Sequence, residues 1–453
     1  MAPARPSSAP PHRASALPSG EAPGAPGSRA RRNPQQNAAA GAFLSRKRDA
    51  LSGLILAAWL GATPATANNL AGLVAPVARP EIAGARLESA AYATLPGWAQ
   101  DDQSAAFSTF LASCGALRAR PAEVGPPDNA ALVPGLRITC DNARRLVRTL
   151  APETVSAGVA RLFFEANFRP YRIVPEKSPP GFLTGYYEPE LDGALTPTGD
   201  FKVPIYGRPT DLIPTGPQGS NKGGAVRRAG DVFVPYYDRA QIEDGALAGR
   251  GLEIAYIAHP VDLFFMQIQG SARIRLPDGT ALRLNYDGHN GYPYTPVGRL
   301  LIQRGLVPRE AMSMAAIRSF IEQNPQAGAD LMRENRSFVF FRAVPLAADA
   351  GALGAQGVPL TAGRSIAIDR ALHAYGTPIF IDAALPLARA TSADPFRRLM
   401  IAQDTGSAIV GPARADLFFG AGEQAAAVAG RIRHPGAFTL LVPRLQPVRA
   451  KTP

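Results

Sequence analysis

From about residue 101 to residue 170 the apolar positions recur at helical spacing. Phe107, Phe110, Leu111 and Cys114 fall on one face, and Val155, Val159, Leu162 and Phe163 repeat the arrangement, which predicts helices with core-facing stripes. From Gly181 the period changes to two and turn residues crowd in, so the middle and the end of the chain read as mainly β. Ser271-Ala-Arg-Ile-Arg-Leu and Thr280-Ala-Leu-Arg-Leu-Asn-Tyr flank Pro277-Asp278-Gly279, and alternation and turn agree on a hairpin. Two short helices are predicted over residues 296–304 and 308–323, before strands resume at Ser337-Phe-Val-Phe-Phe-Arg. No internal repeat interrupts this order.

Residues 364–420 carry three aspartates at predicted strand ends, inside a run otherwise made of apolar, small and turn residues. They are Asp369 in Ser-Ile-Ala-Ile-Asp-Arg, Asp404 in Leu-Met-Ile-Ala-Gln-Asp-Thr-Gly-Ser-Ala-Ile, and Asp416 in Ala-Arg-Ala-Asp-Leu-Phe-Phe-Gly. A carboxylate carried by a strand toward a core or a cleft mouth is costly unless it is paired or used, so the pattern reads as a site. The competing reading for each is a turn or cap residue. Asp404 before Thr-Gly has the form of an Asx turn.

Composition sets the compartment. Residues 1–49 are rich in Pro, Ala, Ser and Arg with almost no large apolar side chains, a composition that cannot offset the entropy of ordering. Arg46-Lys47-Arg48, the apolar stretch from Ala50 to Ala62 and the small-x-small site Ala65-Thr66-Ala67 then read as a signal peptide cleaved near Ala67. The 13 residues of that stretch fall short of the roughly 20 that a membrane span needs. The first cysteine after it is Cys114, so no lipid anchor at a cleavage-site cysteine is predicted and the mature protein is expected to be soluble. Of the net charge of +12, residues 1–67 hold eight Lys/Arg and two Asp/Glu, which leaves +6 on the rest. So modest an excess gives no argument for nucleic acid. In an oxidising compartment Cys114 and Cys140 are candidates for one disulfide, the alternative being two separate buried thiols.

Tyrosines concentrate between Tyr186 and Tyr294 among turn residues and polar neighbours, as in Gly185-Tyr186-Tyr187-Glu188, Pro235-Tyr236-Tyr237-Asp238 and Gly291-Tyr292-Pro293-Tyr294. Rings with a polar handle beside Asn, Gln and Asp suit a groove that holds sugar rings, although strand packing accounts for any single one. Metal chemistry is poorly supported. The five histidines stand at positions 12, 259, 289, 373 and 434, with no His-x-x-x-His or paired-cysteine spacing. Gly-rich nucleotide loops and Gly-x-Ser-x-Gly are absent as well.

Six ordered blocks then carry a resemblance: Phe182-Leu-Thr-Gly-Tyr-Tyr-Glu-Pro, Phe265-Met-Gln-Ile-Gln-Gly-Ser, Tyr286-Asp-Gly-His-Asn-Gly-Tyr-Pro-Tyr, Ser337-Phe-Val-Phe-Phe-Arg, Arg364-Ser-Ile-Ala-Ile-Asp and Gln403-Asp-Thr-Gly-Ser-Ala-Ile. Over roughly 240 residues the chain resembles the membrane-bound lytic murein transglycosylase A family, with its C-terminal three-aspartate domain. The resemblance implies a mainly β protein, a double-psi β-barrel split in sequence with an inserted second β domain, plus N-terminal helices. On this chain it places the leader and signal peptide at 1–67, the helices and first barrel portion at 68–190, the insert at 191–335 and the second barrel portion at 336–453. The chain departs from the family's pattern at Ser407 and Val410, where a glycine and a basic residue are expected, and at His289, where glutamine is expected.

The same resemblance implies cleavage of the β-1,4 bond between N-acetylmuramic acid and N-acetylglucosamine without water, leaving 1,6-anhydromuramic acid ends. It assigns the single essential acid to Asp416, with Asp404 as orienter or charge neighbour and rival for the acid, and Asp369 as a structural carboxylate. Thr184, Tyr186, Gln269, Gly270 and Ser271 would line the groove, though Gln269-Gly270-Ser271 also reads as a polar strand end. No cofactor or metal is implied. The expected partners are peptidoglycan glycan strands and cell-wall synthesis complexes, met after export in the periplasm at the outer membrane or wall. Two alternatives stand beside this reading: a muramidase using Asp404 and Asp416 as a carboxylate pair, and a non-catalytic wall-binding module.

Overall fold

The structure, a computed structural model, describes residues 81–119, 131–150, 155–177, 180–216 and 224–444. The expected signal peptide and its cleavage site lie outside the described residues. In chain order, strand β1 (Ala85–Ser89) precedes helices α1 (Gln103–Ala119), α2 (Leu132–Leu150) and α3 (Ala157–Asn167), then strands β2 (Phe168–Pro175) and β3 (Phe182–Glu188). The inserted part follows, with β4 (Glu190–Ala194), β5 (Val203–Tyr206), β6 (Ile213–Pro214), β7 (Ala225–Ala229), β8 (Val232–Pro235) and β9 (Glu253–Ile257). It continues through helix α4 (Pro260–Gln269), the hairpin β10 (Ser271–Arg275) and β11 (Ala281–His289), and helices α5 (Val297–Gln303), α6 (Met314–Gln323) and α7 (Pro325–Glu334), to strand β12 (Val339–Ala343). The last part holds β13 (Ser365–Ile368), β14 (Pro378–Leu385), β15 (Asp394–Asp404), β16 (Arg414–Ala421), helix α8 (Gly422–Ala429), β17 (Arg433–Pro435) and β18 (Ala437–Pro443).

Both ends of the described chain build one nine-stranded sheet, in the order β1-β2-β18-β14-β15-β13-β16-β3-β17. This is the split barrel, and a six-stranded sheet, β12-β11-β10-β4-β9-β5, forms the inserted β domain. The barrel core takes Leu183, Ile366, Ile368, Leu399, Ile401, Leu417 and Leu440 from its strands and Phe107, Phe110 and Cys114 from α1. Phe110 meets Phe164 and Phe168 edge-on, at centroid separations of 6.2 and 5.9 Å, which locks the helices to the start of β2.

Several local expectations are corrected. Residues 339–343 pair with β11, so the strand expected to open the second barrel portion at 336 belongs to the insert, and the barrel resumes at β13. Strand partnership is non-local and leaves no mark in the strand's own pattern. The Phe265-Met-Gln-Ile-Gln block lies on helix α4, where Leu263 to Gln267 are buried in an unbroken run while Ile268 is exposed, so burial there does not follow the polarity of the residues. Gln269-Gly270-Ser271 is therefore the joint between a helix end and a strand start: Gly270, at φ 79° in the left-handed conformation that glycine adopts freely, closes α4, and Ser271 opens β10. Leu162, placed on a core face from its spacing, is 43% exposed on α3.

Insert and barrel are joined by a buried charge cluster. Glu188, the last residue of β3, is 1% exposed and accepts from Arg273 Nε at 2.8 Å and Arg283 Nη2 at 3.0 Å. The same guanidiniums donate to the carbonyls of Ala347, Ala348 and Ala350 on the segment returning to the barrel. One carboxylate thus ties β3, the β10–β11 hairpin and the return segment together.

Cys114 and Cys140 form a disulfide between α1 and α2, across a sequence separation of 26. Closing a loop of that length removes about 3 kcal/mol worth of unfolded-state freedom. Cys114→Ala with Cys140→Ala is expected to lower the stability in urea titrations by about that amount. An unchanged midpoint would show that the helical layer packs fully without the crosslink.

Candidate active site

Strand β13 lies between β15 and β16, and Ala367 sits opposite Asp416 on one side and Asp404 on the other. Two inter-strand spacings put the aspartate Cα atoms about 10 Å apart. On the far side of β16, Asp416 is in register with Thr184 of β3. Helix α8 packs so tightly over β3 that a Cβ at Gly185 would come within 2.8 Å of Ala429 Cα, and this holds Thr184 and Tyr186 in place.

Asp416 is half-buried, with its side chain above the packed Ala415 and Leu417. Its Oδ1 accepts from Thr184 Oγ1 at 2.6 Å, and Thr184 Oγ1 accepts from Arg414 Nη2 at 2.8 Å. Burial pushes the Asp416 carboxyl up to about 6; Arg414 and the Thr184 hydroxyl pull it down, and the neighbouring Asp404 adds to the rise. Arg414 escaped the sequence reading. Its signal was present, because residues two apart on a strand share a face.

Asp404 is held differently. Oδ1 accepts from the backbone N–H groups of Ala355 and Thr405, each at 2.9 Å, and Oδ2 accepts from the Tyr186 hydroxyl at 2.9 Å. Three donors fill three of about four lone-pair positions of a carboxylate. Burial raises its pKa while those donors lower it. The Tyr186 phenol is itself raised, by burial and then by Asp404, and stays a donor. Beneath the pair, Tyr186, Ala352, Leu360, Ala367, Ile409 and Phe418 form a small apolar cluster that keeps water from one side. The adjoining Gln403 is fully buried, donating to Thr109 O and Ser113 Oγ of α1, so the helical layer fixes the end of β15.

The remaining candidates separate from this centre. Asp369 Oδ1 accepts from Ala371 N and Oδ2 from Gly411 N, both at 2.9 Å, which spends its carboxylate on two turns. Gln269 Oε1 accepts from Tyr187 N at 3.1 Å and joins α4 to β3 one residue past Tyr186. Gly270 O accepts from Tyr286 N at 2.8 Å, and Ser271 is buried. Among the tyrosines, Tyr206 and Tyr236 are packed in the insert's core instead of a groove, and Tyr286 stays 41% exposed. His289 Nδ1 accepts from Gly291 N, and burial lowers its pKa so that it is neutral. Among the described residues no group of three or more His, Cys, Asp or Glu could hold a metal ion.

Comparison with known proteins gives two matches along the chain. Residues 182–342 match the MltA specific insert domain and residues 364–442 the 3D domain. The membrane-bound lytic murein transglycosylase A of Vibrio cholerae is 37% identical over 257 residues, which cover 56% of this chain and 63% of that protein. That of Escherichia coli K12 is 34% identical over 262 residues, 57% of this chain and 65% of that protein. These matches span just under two thirds of the relatives' own length. Among solved structures, a membrane-bound lytic murein transglycosylase from Agrobacterium tumefaciens superimposes with a TM-score of 0.70 at 38% identity, over 79% of this chain and 98% of that one. E. coli MltA with bound chitohexaose gives a TM-score of 0.57 at 26% identity, over 80% and 95%.

Proposed function

Since the chain belongs to the membrane-bound lytic murein transglycosylase A family, we propose that it cleaves the β-1,4 bond between N-acetylmuramic acid and N-acetylglucosamine in glycan strands, with Asp416 as acid and then base. The observation that supports this is a carboxyl raised to about 6 that accepts from Thr184 through Oδ1 and, among the described residues, has no hydrogen bond to Oδ2. Arg414 only donates, so the Thr184 hydroxyl accepts from it and turns its own proton toward Asp416 Oδ1. The acidic proton then belongs on Oδ2. From there it passes to the bridging oxygen as the bond to C1 of the muramoyl residue breaks, and N-acetylglucosamine leaves as the alcohol. The Asp416 carboxylate takes the proton of the C6 hydroxyl, and O6 closes on C1. No water enters the balance.

In this reading Asp404 is a charge neighbour. Held by three donors, it steadies positive charge developing at C1 and keeps Asp416 protonated. A muramidase would need it as nucleophile or as base for a water, for which its single open lone-pair position is poorly suited. The further reading as a wall-binding module without catalysis predicts that Asp416 is dispensable for every function of the chain.

We also infer export by the signal peptide over 46–67 and action in the periplasm, at the outer membrane or wall, with glycan strands and wall-synthesis complexes as partners. The names of the relatives describe membrane-bound enzymes, and among the described residues no helix is long and apolar enough to cross a membrane.

The pH dependence tests the acid. The protonated form is the competent one, so kcat/KM on glycan strands is expected to hold at low pH and to fall about tenfold per unit above about 6. A rate that climbs through that range would mean that the ionised form starts the reaction and would remove Asp416 as acid.

A further inference from the structure

The pairing of β13 with β15 is broken at one point, next to Asp404. Ser365 pairs with Ile401 and Ile366 with Ala402, but Ala367 pairs with Asp404, so Gln403 is an extra residue bulged out of the ladder. Residues in register share a face of a sheet, and a slip of one residue reverses the face of every side chain that follows. In an unbroken ladder Ala367 would meet Gln403, and Asp404 would turn to the face of Ile366 and Ala402, which is packed into the barrel core. With the bulge, Asp404 lies on the face that carries Asp416, the other residue in register with Ala367. The hydrogen bonds agree. Thr184 and Tyr186, two apart on β3 and so on one face, donate to Asp416 and Asp404 respectively.

The bulge is held from two sides. Gln403 is fully buried, and its Nε2 donates to Thr109 O at 2.9 Å and Ser113 Oγ at 2.8 Å on α1, while its Oε1 accepts from Ser365 Oγ of β13. Ser365 Oγ in turn accepts from Thr361 N at 2.7 Å. A primary amide offers two donors beside an acceptor, and this position uses both donors and the acceptor. On the other side, Gln403 O accepts from Gln356 N at 3.0 Å, and the preceding Ala355 N donates to Asp404 Oδ1 at 2.9 Å. Gly354 leaves room for this approach, since an added Cβ there would come within 2.6 Å of Gln403 O. One residue thus fixes both the turn of β15 and the loop that supplies a donor to Asp404. Helix α1 lies outside the matched stretches 182–342 and 364–442, and the Cys114–Cys140 disulfide ties it to α2 one residue beyond Ser113.

We propose that Gln403 is a positioning residue for glycan cleavage: its bulge, clamped to α1, sets the Asp404 carboxylate beside Asp416. This rests on the lytic reading of the site. Gln403 acts through Asp404, and the N-terminal helical layer is thereby part of the catalytic apparatus.

The test compares the full chain with two variants. Gln403→Met keeps the length of the side chain and removes the amide, and Ser365→Ala takes one hydroxyl from the clamp. On purified glycan strands kcat is expected to fall about a hundredfold for Gln403→Met, the cost of a misplacement of about 1 Å, and by less for Ser365→Ala. KM is expected to stay unchanged, because the groove is untouched. In hydrogen exchange the amides of Ala355 and Gln356 are expected to lose protection while those of β14 and β18 keep it. An unchanged kcat overturns the proposal. So does protection at Ala355 and Gln356 that is kept, or that is lost together with β14 and β18, since Gln403 would then serve the fold alone. If Gln403→Met does not fold, Ser365→Ala gives both readings by itself. Should the wild-type chain cleave no glycan strand, the lytic reading fails, and the exchange pattern alone decides whether Gln403 places Asp404.

Discussion

Asp416→Asn is expected to lower the release of anhydro-ended fragments by at least about 10³-fold, the upper range of what a positioned general acid supplies. The amide keeps the shape and the contact with Thr184 but cannot deliver a proton. The same substitution is expected to make the protein more stable at neutral pH. The Asp416 pKa is raised to about 6 in the folded state, above its ordinary value near 3.8, so the folded protein binds more protons between those limits. Stability is therefore full below about 4 and declines as pH rises to about 6. At pH 7.5 the removal of this strained carboxylate should add about 1–2 kcal/mol, a figure discounted for the side chain's partial exposure. Urea titrations at pH 4 and pH 7.5 read both arms. Loss of activity together with loss of stability would mean that Asp416 is a structural residue.

Glu188→Gln is expected to destabilise the protein by about 3–5 kcal/mol, because Arg283 is then left buried without a counter-charge and Arg273 keeps only Glu190, 3.4 Å away. Asp192→Asn, which breaks the exposed pair with Arg275, should change stability by less than about 1 kcal/mol. The difference between the two is burial: Glu188 is 1% exposed, whereas Asp192 and Arg275 are 65% and 58% exposed. Since Glu188 joins β3 to the insert and the return segment, its loss should also weaken binding across the groove. Equal, small effects of both substitutions would show that the inserted domain docks by apolar packing alone.

The parts of this molecule that could be read from its sequence are those whose signal is local. A carboxylate beside a run of apolar residues marks Asp404, which follows one, and Asp416, which precedes one, wherever the strand ends up, and the β10–β11 hairpin announces itself through alternation and turn. Compartment and count point to the Cys114–Cys140 bond. What could not be read depends on partners distant in sequence. Val339–Ala343 has the same pattern whether it joins the barrel or the insert, and only pairing with β11 decides. Helix α4 buries the polar Gln267 and exposes the apolar Ile268, so its polarity does not reveal its period. Arg414 was legible in part: its place two residues before Asp416 could be read, but its hydrogen bond to Thr184, 230 residues away, could not. The tyrosines misled in part, because Tyr206 and Tyr236 spend their rings on the insert's core while Tyr186 reaches Asp404.

The central claim is cleavage without water, and mass spectrometry of fragments released from purified sacculi in isotopically labelled water tests it most directly. Asp416 acting as acid and then base predicts muropeptide ends lighter than hydrolysis products by one water, with no label at the new terminus. Full-mass reducing ends carrying the label would contradict it, and would make Asp404 and Asp416 the working pair of a hydrolase.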